Sequence, residues 1–398
     1  MAKIIWSRLL HRLRINILLR LLKVMKNEQV VILGSFNTNN GITSFVKQNY
    51  SQLKKQGWQF HFINIANAKP ARELASLGHY SEVKQLKLGP VKHVLDLARV
   101  LRRNRKFSSV IHMHLDSLHN FLPLLIAKFV GYKRIIVHAH SDQRGQYSWK
   151  KEVAQKMGMK ICAHTATDFI ACSQNAADFF YPKNIQQNDS FKIILNSAAL
   201  NKFQYSEDAN LKSRAELNIS KTTIVVGHCG RFNRQKNHSF VLRSFAKFHQ
   251  MVPDSKLVLV GNGEDFVKIK DLAQKLGIGK STIFTGYIDN VAEVQNMFDI
   301  FILPSLYEGL SLSLLENSAN GTQCLLSDQQ TKESYFLDST YKLSIKDGAE
   351  QIWADKMFEL VQQDLDKKLQ SVKNIEQLEE MGFSEKKSVA SLIELYEK

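Results

Sequence analysis

Long apolar runs, acidic residues near the start and clustered cysteines are all missing from this chain of 398 residues. No uninterrupted apolar segment is long enough to cross a bilayer. No cleavage-site pattern follows an apolar core, so a secretory signal is not predicted. The four cysteines have no metal-ligand spacing, which predicts reduced thiols and a cytoplasmic protein. No short repeat or low-complexity segment is present either.

Positive charge is what the sequence has in excess, with 54 lysines and arginines against 37 aspartates and glutamates and a formal net charge of +17. This balance predicts an anionic partner: a nucleic acid, an acidic membrane surface or a phosphorylated substrate. No nucleic-acid-binding motif accompanies the charge, which argues against the first. Residues 1–27 interleave basic and apolar side chains. They predict an amphipathic helix on an anionic membrane surface, with a helix packed on its own domain as the alternative.

Short apolar runs alternate with amphipathic stretches along the rest of the chain, a pattern typical of α/β proteins with parallel sheets. A first set of strands is predicted at residues 30–33, 60–65, 110–114, 135–140 and 169–172. A second set is predicted at residues 223–226, 256–260, 283–285, 300–303 and 324–326. We therefore expect two Rossmann-like domains, residues 28–203 and 204–382, followed by a last helix within residues 383–398.

Two glutamates eight positions apart mark the most informative segment. Glu308 lies in a turn after the apolar run 300–303, and Glu316 lies in the helix predicted after it. A strand-to-helix turn presents unpaired N–H groups and a positive dipole end, which suit an anionic leaving group. The two carboxylates would then face hydroxyl-rich parts of the same ligand. This combination predicts a sugar bound to a nucleotide diphosphate; the alternative is two ordinary helix glutamates.

Cations are predicted at the mouth of another strand. Arg231 and Lys236 follow the strand that begins at residue 223, where ligands of open α/β sheets collect. Fixed cations there would stabilise the charge that develops on a departing diphosphate. The alternative is a pair of solvated loop cations. After the next strand, the segment 261–263 (Gly-Asn-Gly) allows a sharp turn and the close approach of a ligand.

Four histidines form two pairs, His112 with His114 and His138 with His140. Residues two apart on a strand face the same side, so the four imidazoles could in principle bind zinc. No carboxylate or cysteine joins them at ligand spacing, and no metal is predicted. We expect His114 and His140 to lie at strand ends that face the cleft between the domains.

These motifs resemble those of retaining glycosyltransferases with the GT-B architecture, specifically family 4 (glycosyl transferases group 1) of the bacterial exopolysaccharide and capsule type. The resemblance covers about residue 29 to the C-terminus and is most specific in the second half. It implies that Glu308, Arg231 and Lys236 are catalytic residues and that the two cations bind the diphosphate. It also implies that Glu308 contacts hydroxyls of the transferred sugar and that Glu316 accepts hydrogen bonds from the ribose.

The same resemblance implies roles for other positions. His140 would lie against the transferred sugar as a catalytic residue, with His138 as the alternative by register. The last helix would pack back on the N-terminal domain. Asn40 replaces the first glycine of the family's Gly-Gly loop. The further substrate-binding positions are Gly41, Gly230, Asn262, Gly263, Tyr287, Gly309, Leu310, Ser311 and Leu312.

The sequence is therefore interpreted as a hexosyltransferase of cell-surface polysaccharide synthesis. The resemblance implies a nucleotide diphosphate sugar as donor, a polyprenyl-linked or polysaccharide acceptor, and neither cofactor nor metal. We expect a cytoplasmic protein at the inner face of the cell membrane that binds no nucleic acid. A sugar-nucleotide epimerase of the same architecture and a non-catalytic glycosyltransferase-like subunit are the alternatives. The sugar, the base, the acceptor and the oligomeric state are not determined by the sequence.

Overall fold

The computed structural model describes residues 28–37, 41–65, 70–83, 89–141, 147–308 and 310–398. The amphipathic segment predicted over residues 1–27, the loop residue Asn40 and the site residue Gly309 lie outside the described residues. Within the described residues the chain forms two α/β lobes, each built around one parallel sheet. The predicted fold class, two Rossmann-like domains with parallel sheets, is confirmed.

The N-terminal lobe has a seven-stranded sheet in the order β3-β2-β1-β4-β5-β6-β7. Its elements are β1 (Gln29–Gly34), α1 (Gly41–Lys55), β2 (Gln59–Asn64), β3 (His79–Glu82), α2 (Pro90–Asn104), β4 (Val110–Leu115), α3 (Leu122–Phe129), β5 (Arg134–Ala139), α4 (Trp149–Thr165), β6 (Asp168–Ala171), α5 (Gln174–Phe180), α6 (Lys183–Gln186) and β7 (Phe191–Ile193). The five predicted strands are present. The two that were not predicted, β3 and β7, are the edges of the sheet.

The C-terminal lobe has a six-stranded sheet in the order β10-β9-β8-β11-β12-β13. Its elements, with the helices that follow it, are α7 (Glu207–Glu216), β8 (Ile224–Cys229), α8 (His238–Met251), β9 (Ser255–Val260), α9 (Phe266–Lys275), β10 (Thr282–Gly286), α10 (Val291–Gln295), β11 (Ile300–Leu303), α11 (Leu312–Ala319), β12 (Gln323–Ser327), β13 (Thr340–Leu343), α12 (Glu350–Val361), α13 (Lys367–Met381) and α14 (Glu385–Glu397). The predicted strands are again present, and the edge strand β13 is additional.

Helices cover both faces of the N-terminal sheet. Along β1, Val31 and Leu33 pack into the hydrophobic core on one face, while Val30 and Ile32 pack into the core on the other. This alternation follows from the two-residue period of a strand. A central parallel strand covered on both faces therefore reads as a continuous apolar run, which is why it is recognisable in the sequence.

The last helix returns to the first lobe. Val389, Leu392 and Tyr396 of α14 are buried in the same core as Val30 of β1 and Tyr50 of α1. The domain boundary predicted between residues 203 and 204 stays a prediction; these residues lie between the end of β7 and the start of β8. None of the described helices combines the length and the apolar character that crossing a bilayer requires.

Both lobes direct the carboxyl ends of their strands to a common gap. In each sheet the strand order reverses once, between β1 and β4 in one lobe and between β8 and β11 in the other. Ligands of open α/β sheets bind outside the carboxyl ends of the strands at such reversal points. The fold therefore places the candidate site between the lobes.

Candidate active site

A cleft of about 580 Å³ lies between the two lobes and is lined by residues of both. Loops that follow β4, β5, β8, β9 and β11 contribute to its walls, together with the starts of α1 and α11. Twelve of the predicted site residues line this cleft: Gly41, His140, Gly230, Arg231, Lys236, Asn262, Tyr287, Glu308, Leu310, Ser311, Leu312 and Glu316. The structure thus brings together residues that are up to 275 positions apart in the sequence, Gly41 and Glu316.

Gly263 departs from the predicted set, because the described residues that line the cleft do not include it. A Cβ atom at this position would lie 2.3 Å from the carbonyl oxygen of Phe232. The glycine is therefore required by close packing of two backbone segments within the lobe. Its neighbour Asn262 does line the cleft, and its side-chain oxygen accepts a hydrogen bond from the backbone N–H of Gly263 at 2.7 Å.

Two of the predicted catalytic residues form an ion pair. Nζ of Lys236 lies 2.8 Å from Oε2 of Glu308, and each side chain is only 13% exposed. Nε2 of Gln235 donates to the carbonyl oxygen of Tyr307 at 3.0 Å and lies 3.4 Å from the other carboxylate oxygen of Glu308. The carboxylate is thus held by two consecutive residues of the loop after β8.

The Arg231 side chain is more exposed than that of Lys236. Its guanidinium pairs with Glu264 through Nε at 3.2 Å and through one terminal nitrogen at 3.0 Å. Both side chains are more than half exposed, so solvent screens the pair strongly. A diphosphate entering the cleft could therefore compete for this guanidinium at little cost.

The start of α11 faces the cleft. Leu310, Ser311 and Leu312 line it, and the hydroxyl oxygens of Ser311 and Ser313 lie 2.9 Å apart. The unpaired N–H groups and the positive dipole end of a helix favour an anion at this place. Nδ2 of Asn196, in the joint between the lobes, donates to the carbonyl oxygen of Leu310 at 3.1 Å. The joint therefore holds the helix start in place.

Glu316 lies one turn further along α11 with its side chain partly buried. Burial raises the pKa of its carboxyl group to about 7, although the hydrogen bond from Gln295 and the positive charges of Lys202 and Lys236 oppose that rise. Nε2 of Gln295 donates to Oε2 of Glu316 at 3.2 Å. A buried carboxylate with few partners can still accept hydrogen bonds from a ligand's hydroxyl groups.

The histidine pairs lie next to each other in the N-terminal sheet. His140 lines the cleft, and its Nε2 lies 2.8 Å from Nδ1 of His114. His114 itself is fully buried, so the expectation that it faces the cleft is wrong. Its position on β4 places the ring under α1, where Nε2 lies 2.9 Å from the hydroxyl of Tyr50. Burial lowers the pKa of His114, and it lowers that of His140 to about 3, so both rings are neutral.

Three of the histidines could be considered as metal ligands. His112, His114 and His138 each place one ring nitrogen within 4.8 Å of the others. Both nitrogens of His114 already take part in hydrogen bonds. A metal would have to displace one of these bonds and draw the ligands closer, because Zn–N bonds are about 2.0–2.1 Å long. That no metal is needed stays a prediction.

Other cleft residues were not predicted. Asp116 and Lys47 line the cleft, and each had a local signal. Asp116 follows β4 directly, and Lys47 lies one turn after the first residues of α1. Gln235 was adjacent to a predicted residue. Gln295 is buried and does not line the cleft, but it holds Glu316. It had no signal, because it reaches Glu316 from the separate helix α10.

The C-terminal lobe matches a family model. Residues 210–378 match the model described as glycosyl transferases group 1. The chain is 26% identical over 373 residues to EpsF of Bacillus subtilis (strain 168), which is provisionally named a glycosyltransferase, and the match covers 92% of this chain and 95% of EpsF. It is 25% identical over 252 residues to the Escherichia coli UDP-Gal:alpha-D-GlcNAc-diphosphoundecaprenol alpha-1,3-galactosyltransferase, covering 60% of this chain and 62% of that enzyme.

Solved structures with the same fold are similar over nearly the whole chain. The Anabaena protein HepE in complex with UDP-glucose has a TM-score of 0.73 and 16% identity, with 92% of this chain and 98% of HepE covered. WaaG, a glycosyltransferase involved in lipopolysaccharide biosynthesis, has a TM-score of 0.67 and 12% identity, with 91% and 98% covered. The family match over the C-terminal lobe, the relatives and the two-lobed fold together support a group 1 glycosyltransferase with the GT-B architecture.

Proposed function

We propose that the protein transfers a hexose from a UDP-linked donor to a lipid-linked glycan, with retention of the anomeric configuration, in the synthesis of a cell-surface polysaccharide. One observation carries the proposal. The residues that line a single cleft include the cations Arg231 and Lys236, the start of helix α11, and the glutamates Glu308 and Glu316. This set matches a ligand that has a diphosphate in its centre and hydroxyl-rich groups at both ends.

The arrangement suggests one orientation of the donor. The diphosphate lies at the start of α11 within reach of Arg231 and Lys236, and the ribose hydroxyls donate hydrogen bonds to the carboxylate of Glu316. The sugar then points toward Glu308 and His140, at the side of the N-terminal lobe. Fixed donors and cations stabilise the charge that forms as the bond from sugar to diphosphate breaks.

In the proposed front-face reaction the acceptor hydroxyl attacks from the side of the leaving group. Because the acceptor oxygen itself forms the new bond to the sugar, no side chain has to act as nucleophile. The departing phosphate oxygen takes the acceptor's proton, so no side chain has to act as general base. The protein's contribution is positioning and electrostatic stabilisation. Arg231 and Lys236 balance the charge of the diphosphate, and we propose that no metal is required. Retained activity in EDTA is the expected result.

The relatives support the choice of substrates. HepE has been crystallised with UDP-glucose, and the E. coli relative is named for UDP-Gal and a diphosphoundecaprenol-linked acceptor. We therefore propose a UDP-hexose as donor and a polyprenyl-diphosphate-linked sugar as acceptor.

The test begins with UDP-hexoses and their effect on thermal unfolding, because a ligand that binds only the folded state raises the midpoint temperature. The stabilising donor is then incubated with a polyprenyl-diphosphate-linked sugar, and the anomeric configuration of the product is read by NMR. A product with the donor's configuration is expected. An inverted product would contradict retention, and epimerisation of the donor without any acceptor would favour the epimerase alternative.

A membrane-bound acceptor requires that the enzyme reach the membrane, and we propose peripheral attachment to its inner face through the N-terminal lobe. The neighbouring helices α2, α3 and α4 each expose an apolar stripe: Val91 and Leu95; Leu122, Leu125 and Phe129; and Trp149, Val153 and Met157. Phe129 is 90% exposed and Trp149 is 70% exposed. The three helices together carry nine lysines and arginines against one aspartate and one glutamate.

Apolar side chains surrounded by cations match the chemistry of an anionic bilayer, where acyl chains lie beneath negative headgroups. The three stripes begin in the first turn of each helix. These first turns follow the carboxyl ends of the strands, and the loops before α3 and α4 contain Asp116 and His140 of the cleft. The proposed membrane surface therefore lies beside the acceptor side of the site.

Full-length protein with Phe129→Glu and Trp149→Glu should bind vesicles of phosphatidylcholine and phosphatidylglycerol about tenfold more weakly than the wild type. Val267→Glu is the matched control, because Val267 is 71% exposed on α9 of the other lobe. Unchanged vesicle binding by the double variant would refute this surface. A dimer in solution that the double variant abolishes would assign the face to a second copy of the chain.

A further inference from the structure

A continuous chain of hydrogen bonds links the cleft to the C-terminal helix. Nε2 of His140 lies 2.8 Å from Nδ1 of His114, whose Nε2 lies 2.9 Å from the hydroxyl of Tyr50. The Tyr50 hydroxyl lies 2.6 Å from that of Tyr396, on α14, and the Tyr396 hydroxyl lies 2.6 Å from Nδ1 of His112. Except for His140, every member of the chain is nearly or fully buried.

Each of these five hydrogen-bonded side chains has a single proton to donate. Burial lowers the pKa of His112, His114 and His140, so the imidazoles are neutral and carry one N–H each. Burial also raises the pKa of Tyr50 and Tyr396, so the phenols keep their protons. A linear chain of such groups is fully bonded only when all the protons point in the same direction.

Two directions are possible. In the first, Nδ1–H of His112 donates to Tyr396, Tyr396 to Tyr50, Tyr50 to His114, and Nδ1–H of His114 to Nε2 of His140. The proton of His140 is then on Nδ1, the ring nitrogen available to a ligand. In the second direction every bond is reversed, and Nδ1 of His140 is an acceptor.

Two observations favour the first direction. The Tyr50 hydroxyl also lies 3.1 Å from Nδ1 of His112. An N–H at that nitrogen can donate to both phenol oxygens, whereas the reversed direction leaves this contact without a proton. Nε2 of His112 is buried with no partner among the described residues. The first direction leaves a lone pair there, and an unpaired acceptor is more readily tolerated in protein interiors than an unpaired N–H.

We infer that Tyr50 and Tyr396 are positioning residues that fix His140 as its Nδ1–H tautomer, so that it presents a hydrogen-bond donor to the cleft. This inference rests on the proposed function, in which His140 faces the donor sugar. A donor at this place can bind a sugar hydroxyl oxygen throughout the reaction. The C-terminal helix thereby takes part in the site through a hydroxyl that lies 284 positions from His112 in the sequence.

The test measures the tautomer directly. Full-length protein labelled with 15N-histidine gives distinct ring-nitrogen resonances for the two neutral tautomers, and the His140→Asn variant assigns the His140 signals. The wild type should show protonated Nδ1. Tyr50→Phe and Tyr396→Phe keep the rings but remove the bias, so a mixture of tautomers is expected. The turnover number should fall about two- to fivefold with little change in the donor's KM.

Tyr181→Phe is the matched control. Tyr181 is buried in the same lobe, but its hydroxyl donates to the backbone carbonyl oxygens of Val137 and Ile170 and takes no part in the series of hydrogen bonds that ends at His140. Protonated Nε2 of His140 in the wild type, or an unchanged tautomer in a folded variant, would overturn the inference. Tyr396→Phe decides the question if Tyr50→Phe does not fold. A wild type with the expected tautomer but no transfer from any UDP-hexose would refute the proposed function and leave the hydrogen-bond chain intact.

Discussion

Lys236 and Glu308 neutralise each other in the cleft. Their charged atoms lie 2.8 Å apart, and both side chains are largely withdrawn from solvent. In the proposed reaction they have different partners, since the ammonium of Lys236 binds the diphosphate and the carboxylate of Glu308 binds hydroxyls of the sugar. The ion pair therefore holds both side chains in place before the donor binds.

Lys236→Ala should leave the largely buried Glu308 carboxylate without its cation. We expect the free energy of unfolding to fall by about 2–4 kcal/mol and the turnover number to fall about 100- to 1000-fold. Urea denaturation and transfer assays measure the two effects. Lys236→Met combined with Glu308→Gln should restore most of the stability but none of the activity. Normal activity of Lys236→Ala would remove Lys236 from the mechanism.

Arg231→Ala should separate binding from stability. Because the pair of Arg231 with Glu264 is exposed, its loss should change the free energy of unfolding by less than about 1 kcal/mol. Affinity for UDP, measured by calorimetry, should fall about tenfold or more, since a charge-assisted contact to phosphate is lost. Arg243→Ala is the control, because Arg243 pairs with Glu350 on the surface of the same lobe. Equal UDP affinity in both variants would contradict the role of Arg231.

Glu316→Gln should alter the dependence of stability on pH. The folded-state pKa of about 7 lies above the ordinary value of 4.5, so the native state binds this proton more tightly than the unfolded state does. The contribution of Glu316 to stability is therefore complete below about pH 4.5 and is lost as the pH rises through about 7. Over this range the free energy of unfolding falls by about 3 kcal/mol because of Glu316.

Urea denaturation without ligand at pH 5.5 and pH 8 provides the measurement. The free energy of unfolding of Glu316→Gln, taken relative to that of the wild type, should be higher at pH 8 than at pH 5.5. Glu264→Gln, a change at an exposed carboxylate, should not show this gain. A constant difference between Glu316→Gln and the wild type would mean that the Glu316 carboxyl is not raised in pKa.

Gly261→Ala should disrupt the loop after β9. Gly261 has φ +132°, and a Cβ atom there would lie 2.0 Å from the carbonyl oxygen of Gly230. We expect a loss of at least about 3 kcal/mol in the free energy of unfolding. Gly348→Ala is the control, because Gly348 has φ +83° but open space around the new methyl group. Gly348→Ala should lower the free energy of unfolding by only about 1 kcal/mol. Similar decreases in the two variants would show that the backbone moves to relieve the clash at Gly261.

Central strands and strand-end motifs were predictable because their signals are local. A strand buried on both faces, such as β11, must be apolar at every position, and the residues after it must lie at the carboxyl edge of the sheet. Glu308 and Lys236 could thus be assigned to the cleft before the structure was known. The edge strands β3, β7 and β13 were not predicted, because half-covered edges need no continuous apolar run and form by pairing with a neighbour.

The sequence by itself determined the two-lobed architecture and the types of side chain at the mouth of the cleft, since both depend on short patterns of apolar and charged residues. Only the tertiary structure decided how these groups are paired and protonated. The burial of His114, the raised pKa of Glu316 and the contact of Tyr396 with His112 arise from elements far apart in the chain. A desolvation penalty or a hydrogen bond exists only once the folded backbone has brought such elements together, and no local pattern encodes it.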